Sequence, residues 1–172
     1  RTFGHEGVYV REGALPAGQR AEIPLARAPP PAPAAKPCAA HFNPGLVRSA
    51  QEVQAALGDD STVLLDARPA DRFAGRAPEP RPGMRAGHIP GSRNIPAGSL
   101  IDPVTGRLVK NNAQIMGVVA EKPASIITTC GSGVTACVLA LALHEAGWPE
   151  AAVYDGSWSE WGAESSGLPI AR

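Results

Sequence analysis

Short continuous apolar runs alternating with helical stretches predict an α/β domain, a mostly parallel sheet flanked by helices on both faces. Three observations carry this. Thr62-Val63-Leu64-Leu65 and Ser125-Ile126-Ile127-Thr128-Thr129 are too short for helices and lack the polar alternation of half-exposed strands, as expected of buried parallel strands. Residues 134–146 between the later runs are rich in helix formers and stop at Gly147 with Pro149 just beyond, a helix end. The chain has 172 residues, 44% of them hydrophobic, enough for one ordinary core.

In chain order, residues 1–26 form a leader in which Val8-Tyr9-Val10 reads as a short strand. Twenty-six residues bury no core alone, so the leader either docks on the rest or closes a domain lying upstream; the second is the preferred reading. Pro29, Pro30, Pro31, Pro33, Pro37 and Pro44 crowd a stretch otherwise mostly alanine, so residues 27–41 are expected to be an extended, semi-rigid linker. The main domain is then 42–172. Apolar spacing predicts a helix over 47–57, with Ser49 as N-cap and Glu52 three residues on in a capping-box pattern. The strand at 62–65 follows. Gly87-His88-Ile89-Pro90-Gly91 reads as a turn into a strand near Asn94-Ile95-Pro96, with His88 structural rather than a general base. The strand at 125–129, the helix at 134–146 and a strand at Ala152-Val153-Tyr154 complete the alternation, and Trp158 and Trp161 are expected in or near the core.

Composition excludes several classes of function. Sixteen basic residues balance sixteen acidic ones, so there is no overall electrostatic footprint for nucleic acid. No apolar run approaches the ~18 residues that cross a bilayer, so no membrane partner is expected. Three cysteines are an odd count and too few for a disulfide framework. They imply free thiols in a reducing compartment: the cytoplasm, or a mitochondrion if a targeting segment precedes Arg1.

The chemistry concentrates at Thr129-Cys130-Gly131-Ser132-Gly133-Val134-Thr135. Cys130 falls between the carboxyl end of a buried strand and the start of a helix, where open α/β sheets place ligands. Two glycines let the backbone curl so that several N–H groups face one centre, and the helix N-terminus adds positive partial charge. Both favour thiolate over thiol. Ser132 and Thr135 are placed to donate to the sulfur or to what it attacks. The competing reading is a buried structural cysteine beside a glycine turn. A cysteine phosphatase would need an arginine at position 136, which is Ala, and a Walker loop would need a lysine after the glycines. Cys137 is expected in the core, and Cys38 is incidental to the linker.

Residues 68–93 hold Arg68, Arg72, Arg76, Arg81, Arg85 and Arg93 against only Asp71 and Glu79. The segment leaves the strand ending at Asp66, so it emerges on the same sheet edge as Cys130. Pro69, Pro78, Pro80 and Pro82 stiffen it. The guanidinium fork suits carboxylates and similar oxyanions. A thiolate beside an anion clamp suggests a small anionic, sulfur-bearing substrate; the plainer alternative is a solvated charged loop. Asp66 is expected to support the site by hydrogen bonds.

Asp66-Ala67-Arg68, Gly87-His88-Ile89-Pro90-Gly91, the Cys130 loop and Tyr154-Asp155-Gly156-Ser157-Trp158, in that order, resemble the rhodanese family over about residues 42–169. The uncharged Gly131-Ser132 pair, with Arg72-Phe73 and Glu79-Pro80-Arg81, is similar to its 3-mercaptopyruvate-using branch; the thiosulfate-using branch usually carries basic residues after the cysteine. The resemblance implies a rhodanese-like fold and a sulfurtransferase with Cys130 as nucleophile assisted by Ser132. It also implies that Arg72 and Arg81 bind the substrate's carboxylate and carbonyl, and that Gly131, Gly133, Val134 and Thr135 complete the binding loop. No metal or organic cofactor is implied. The implied partners are a small anionic sulfur donor and a thioredoxin-type dithiol, small thiol or cyanide as acceptor. It further implies that residues 1–26 close an upstream rhodanese-like domain. The alternatives are a thiosulfate sulfurtransferase and a non-catalytic rhodanese module.

Overall fold

Five parallel strands build the sheet of the computed structural model, which describes residues 1–5, 7–24, 26, 28–29 and 39–172. They are β1 (Val47–Arg48), β2 (Thr62–Asp66), β3 (Arg93–Asn94), β4 (Ser125–Thr129) and β5 (Ala152–Tyr154), in the spatial order β1-β5-β4-β2-β3. Strands β2 and β4 run in register from Thr62 opposite Ser125 to Asp66 opposite Thr129, so both stop at the same level. The pairing continues one step further, where Ala67 N–H donates to the Thr129 carbonyl at 2.9 Å. The loops after β2 and β4 therefore leave from one edge of the sheet.

Alternation along the central strands splits the core in two. Val63, Leu65 and Ile126 face α4 (Ala113–Ala120) and α5 (Ala136–Glu145), packing on Ile115, Val118, Leu139 and Leu143. Leu64 and Ile127 face α2 (Ala50–Ala55) and α6 (Ser157–Trp161), packing on Val53, Tyr154, Trp158 and Trp161. Each fully buried Leu or Ile contributes about 1.5–3 kcal/mol from removal of apolar surface. The buried tryptophans keep their indole N–H groups satisfied: Trp158 donates to the Arg85 carbonyl at 3.0 Å and Trp161 to the Pro169 carbonyl at 2.7 Å.

The caps behave as the sequence suggests. Ser49 Oγ accepts from Glu52 N–H at 3.3 Å while the Glu52 carboxylate accepts from Ser49 N–H at 2.7 Å. This cap starts α2 at Ala50, and Val47–Arg48, read as the start of the helix, instead pairs with Val153 and Tyr154 as edge strand β1. Helix α5 begins at Ala136 rather than Val134, because residues 131–135 are spent curling around Cys130. Gly147 (φ +91°) ends it, with Trp148 N–H donating back to the Leu143 carbonyl at 2.8 Å.

Two further expectations are corrected. Val8, Tyr9 and Val10 form no strand and are exposed; the leader's regular element is a short helix, α1 (Ala14–Arg20). Cys137 is exposed rather than in the core. Helix α4 occupies a stretch in which no helix was read. Cys38 and residues 30–37 of the expected linker lie outside the described residues.

Candidate active site

Cys130 is the first residue beyond β4, only 1% exposed, yet it forms part of the wall of a cavity of about 530 Å³ on the carboxyl edge of the sheet. Burial alone would push its thiol up. Hydrogen bonds from the Thr135 hydroxyl and from the main-chain N–H groups of Ser132, Ala136 and Thr135 outweigh that, and the thiol sits below its ordinary value.

Helix α6 and the turn before it hold this loop in shape. Ser157 is fully buried in a left-handed conformation (φ +49°). Its hydroxyl accepts from Cys130 N–H at 3.2 Å and Gly133 N–H at 3.0 Å while donating to the Tyr154 carbonyl at 2.8 Å. Trp158 N–H donates to the Cys130 carbonyl and Ser159 N–H to the Gly131 carbonyl, each at 2.9 Å. Gly133 is required by its backbone (φ +81°), and a Cβ there would lie 3.1 Å from the Asp155 carbonyl.

The arginine segment, which opens on the single-turn helix α3 (Ala70–Phe73), divides. Arg76 pairs with Asp71 on the surface, Arg93 with Glu121, and Arg85 donates to the carbonyls of Trp161 and Leu168, fastening the C-terminal segment. Arg68, Arg72 and Arg81 line the cavity. Arg68 is structural: its guanidinium binds the Asp66 carboxylate at 2.7 Å and Glu79 at 2.9 Å, donates to the Gly87 carbonyl at 2.8 Å, and lies 4.2 Å from the Trp158 ring centroid. Asp66 thus supports the site by way of Arg68. Glu79 also binds Arg72 Nη2, and the Nε of Arg72 is buried without a partner. Arg81 donates from Nη1 to Ser159 Oγ.

The structure brings together Cys130, Gly131, Ser132, Val134, Thr135, Arg72 and Arg81 on one cavity. Ser132 reaches the sulfur through its main-chain N–H. Gly133 is taken out of the binding group: it does not line the cavity, and its N–H is directed to Ser157. His88 stays structural, stacked 3.9 Å from the Phe73 ring with Nδ1 2.8 Å from the Phe73 carbonyl. Ser157 lies in the Tyr154–Trp158 motif that carries the resemblance, but the sequence assigns no role to its hydroxyl, and Ser159 is marked only by its place just after β5.

The sequence pattern of the rhodanese-like domain matches residues 49–164, most of the chain and all of the sheet beyond β1. The chain belongs to that family. Among curated rhodanese relatives, the 3-mercaptopyruvate sulfurtransferase of Escherichia coli K12 is 41% identical over 99% of this chain and 60% of its own length. The human protein of that name is 36% identical over 94% of this chain and 54% of its own. A mitochondrial thiosulfate/3-mercaptopyruvate sulfurtransferase of Arabidopsis thaliana is 35% identical over 99% and 50%. The chain therefore spans half to three fifths of the length of these relatives. The crystal structure of SseA from Escherichia coli, described with the rhodanese fold and mechanism of 3-mercaptopyruvate sulfotransferases, superposes with a TM-score of 0.72 at 36% identity. It covers 93% of this chain and 60% of its own.

Proposed function

We propose that this chain carries a sulfurtransferase site that moves sulfur from 3-mercaptopyruvate to a thiol or cyanide acceptor through a persulfide on Cys130. The observation that carries the reading is the thiol held low by converging N–H groups in a cavity that Arg72 and Arg81 also line. The chemistry is covalent catalysis in two steps. The Cys130 thiolate attacks the sulfur of 3-mercaptopyruvate; the S–S bond forms as the C–S bond breaks. The released electron pair passes into the carbonyl as an enolate, which takes a proton to give pyruvate. Arg72 and Arg81 hold the carboxylate and the carbonyl oxygen, where negative charge accumulates. The acceptor, cyanide or a small or thioredoxin-type thiol, then attacks the outer sulfur and returns Cys130 as thiolate. Ser132 assists through its N–H, with Gly131, Val134 and Thr135 shaping the pocket.

The domain reading goes with it: 42–172 as the catalytic domain, 27–41 as linker and 1–26 as the close of an upstream rhodanese-like domain, in keeping with the greater length of the relatives. Among the described residues no helix is long and apolar enough to cross a membrane. The reducing compartment is the cytoplasm or, as the Arabidopsis relative's name suggests, a mitochondrion. That relative's double name also supports thiosulfate as a second donor.

Intact-mass measurement after incubation with 3-mercaptopyruvate tests the reading: one added sulfur atom on Cys130, absent in Cys130→Ser, is expected. Arg72→Ala and Arg81→Ala are expected to raise KM for 3-mercaptopyruvate at least tenfold, roughly one lost charge-assisted bond each. No sulfur gain by the unsubstituted chain would overturn it.

A further inference from the structure

We infer that Ser159 is a positioning residue that couples the peptide unit facing the Cys130 sulfur to Arg81, so that one hydroxyl sets both thiolate stability and substrate grip. The inference rests on the sulfurtransferase reading above for its substrate half only. It starts from a covalent constraint. The Gly131 carbonyl and the Ser132 N–H are opposite ends of one planar trans unit and point in opposite directions. The Gly131 carbonyl accepts twice from Ser159, from its N–H at 2.9 Å and from its Oγ at 2.5 Å, which fills both lone pairs. With the carbonyl fixed toward α6, the Ser132 N–H is fixed away from α6, and there it donates to the Cys130 sulfur.

The same hydroxyl accepts from Arg81 Nη1. A serine hydroxyl has one proton, and here it goes to Gly131, so only the lone pairs remain for Arg81. The direction of the chain Arg81 to Ser159 to Gly131 is therefore determined. Arg81 is an exposed side chain, and this bond tethers its guanidinium at the cavity wall. Removing the hydroxyl leaves Gly131 with one bond instead of two and frees Arg81 to sample other rotamers.

The test compares Ser159→Ala with Ser159→Thr, which keeps the hydroxyl. Alanine is the better helix former at this half-buried position, so α6 is retained. The first readout is the pH dependence of iodoacetamide labelling of Cys130, followed by peptide mass. Ser159→Ala is expected to move the inflection upward by about one pH unit, a tenfold loss of thiolate preference. The second is steady-state transfer from 3-mercaptopyruvate at a pH above both inflections, where KM is expected to rise about fivefold with kcat nearly unchanged. Ser159→Thr is expected to restore both. A role confined to stability would lower the unfolding midpoint and leave inflection and KM alone, and that result overturns the inference. Labelling requires no sulfur donor, so a chain that transfers no sulfur but shows the moved inflection would reject the substrate assignment while keeping the peptide coupling.

Discussion

The hydroxyl of Ser157 takes the main-chain N–H of Cys130 at 3.2 Å, so the Cys130 backbone is anchored by a residue 27 positions later in the chain. The same oxygen takes the Gly133 N–H, closing the loop from both sides of the thiol. Ser157 holds φ +49° to do this, a conformation unusual for a residue with a Cβ. Ser157→Ala leaves two buried N–H groups without an acceptor, and the variant is expected to lose about 2–4 kcal/mol of stability. Urea unfolding followed by tryptophan fluorescence measures it. A loss below about 0.5 kcal/mol would mean that the loop holds itself.

The ion network behind the cavity has a hierarchy of burial, and the expected losses follow it. Arg68 and Glu79 are at most 4% exposed and share partners with Asp66 and Arg72. Arg68→Met strands the buried Asp66 carboxylate and leaves Glu79 with Arg72 alone, and it is expected to cost about 3–5 kcal/mol. Arg93→Ala removes an ion pair whose side chains are about half exposed, and the expected change is below about 1 kcal/mol. Thermal unfolding of both variants under one condition compares them; similar losses would contradict the assignment.

Gly131 sits where a Cβ would come within 3.3 Å of Arg72 Nη2. Its backbone is not in the left-handed region, so alanine is tolerated there by conformation. Gly131→Ala is therefore expected to fold normally while displacing Arg72 by a few tenths of an ångström. Transfer from 3-mercaptopyruvate is expected to fall about three- to tenfold in kcat/KM. Steady-state kinetics beside a melting curve separate the two effects, and an unchanged kcat/KM would show that Arg72 need not approach the loop so closely.

The parts of this fold that were legible in the sequence are those set by local pattern. The apolar runs at β2, β4 and β5, the Ser49–Glu52 cap and the Gly147 stop all act within a few residues. Two-residue β1 was not legible, because Val47 and Arg48 become a strand only through pairing with Val153 and Tyr154, about a hundred residues away. Helix α4 was hidden by its brevity and by Gly117 in its middle; Asn112, accepting from Gln114 N–H at 3.0 Å, is the cap that marks it. In the site, Cys130 and its glycines were visible from position alone. Which arginines face the cavity was not visible from local chemistry, which Arg72, Arg81 and Arg85 share; the family resemblance pointed to Arg72 and Arg81, and in the fold the three are sorted by Glu79, Ser159 and the Trp161 carbonyl.

The two described thiols are seven residues apart and shifted in opposite directions, so one labelling experiment reads both. Although Cys137 is an exposed residue, partial desolvation of its sulfur raises it, and the negative charges of Cys130 and Asp155 raise it further, whereas hydrogen bonds hold Cys130 low. Iodoacetamide labelling followed by peptide mass is expected to give an inflection for Cys130 below the ordinary thiol value of about 8.5 and one for Cys137 above it. In Cys130→Ser, the Cys137 inflection is expected to fall toward the ordinary value, because the neighbouring thiolate is gone. The fold's preference for the Cys130 thiolate is also a stability contribution. Its pKa is lower in the folded than in the unfolded chain, so the contribution is complete above the unfolded value and is lost as pH falls through the folded one. The gap in unfolding free energy between the native chain and Cys130→Ser is therefore expected to narrow on acidification through the labelling inflection. A gap that stays constant through that range would mean that the N–H groups around Cys130 do not favour its charge.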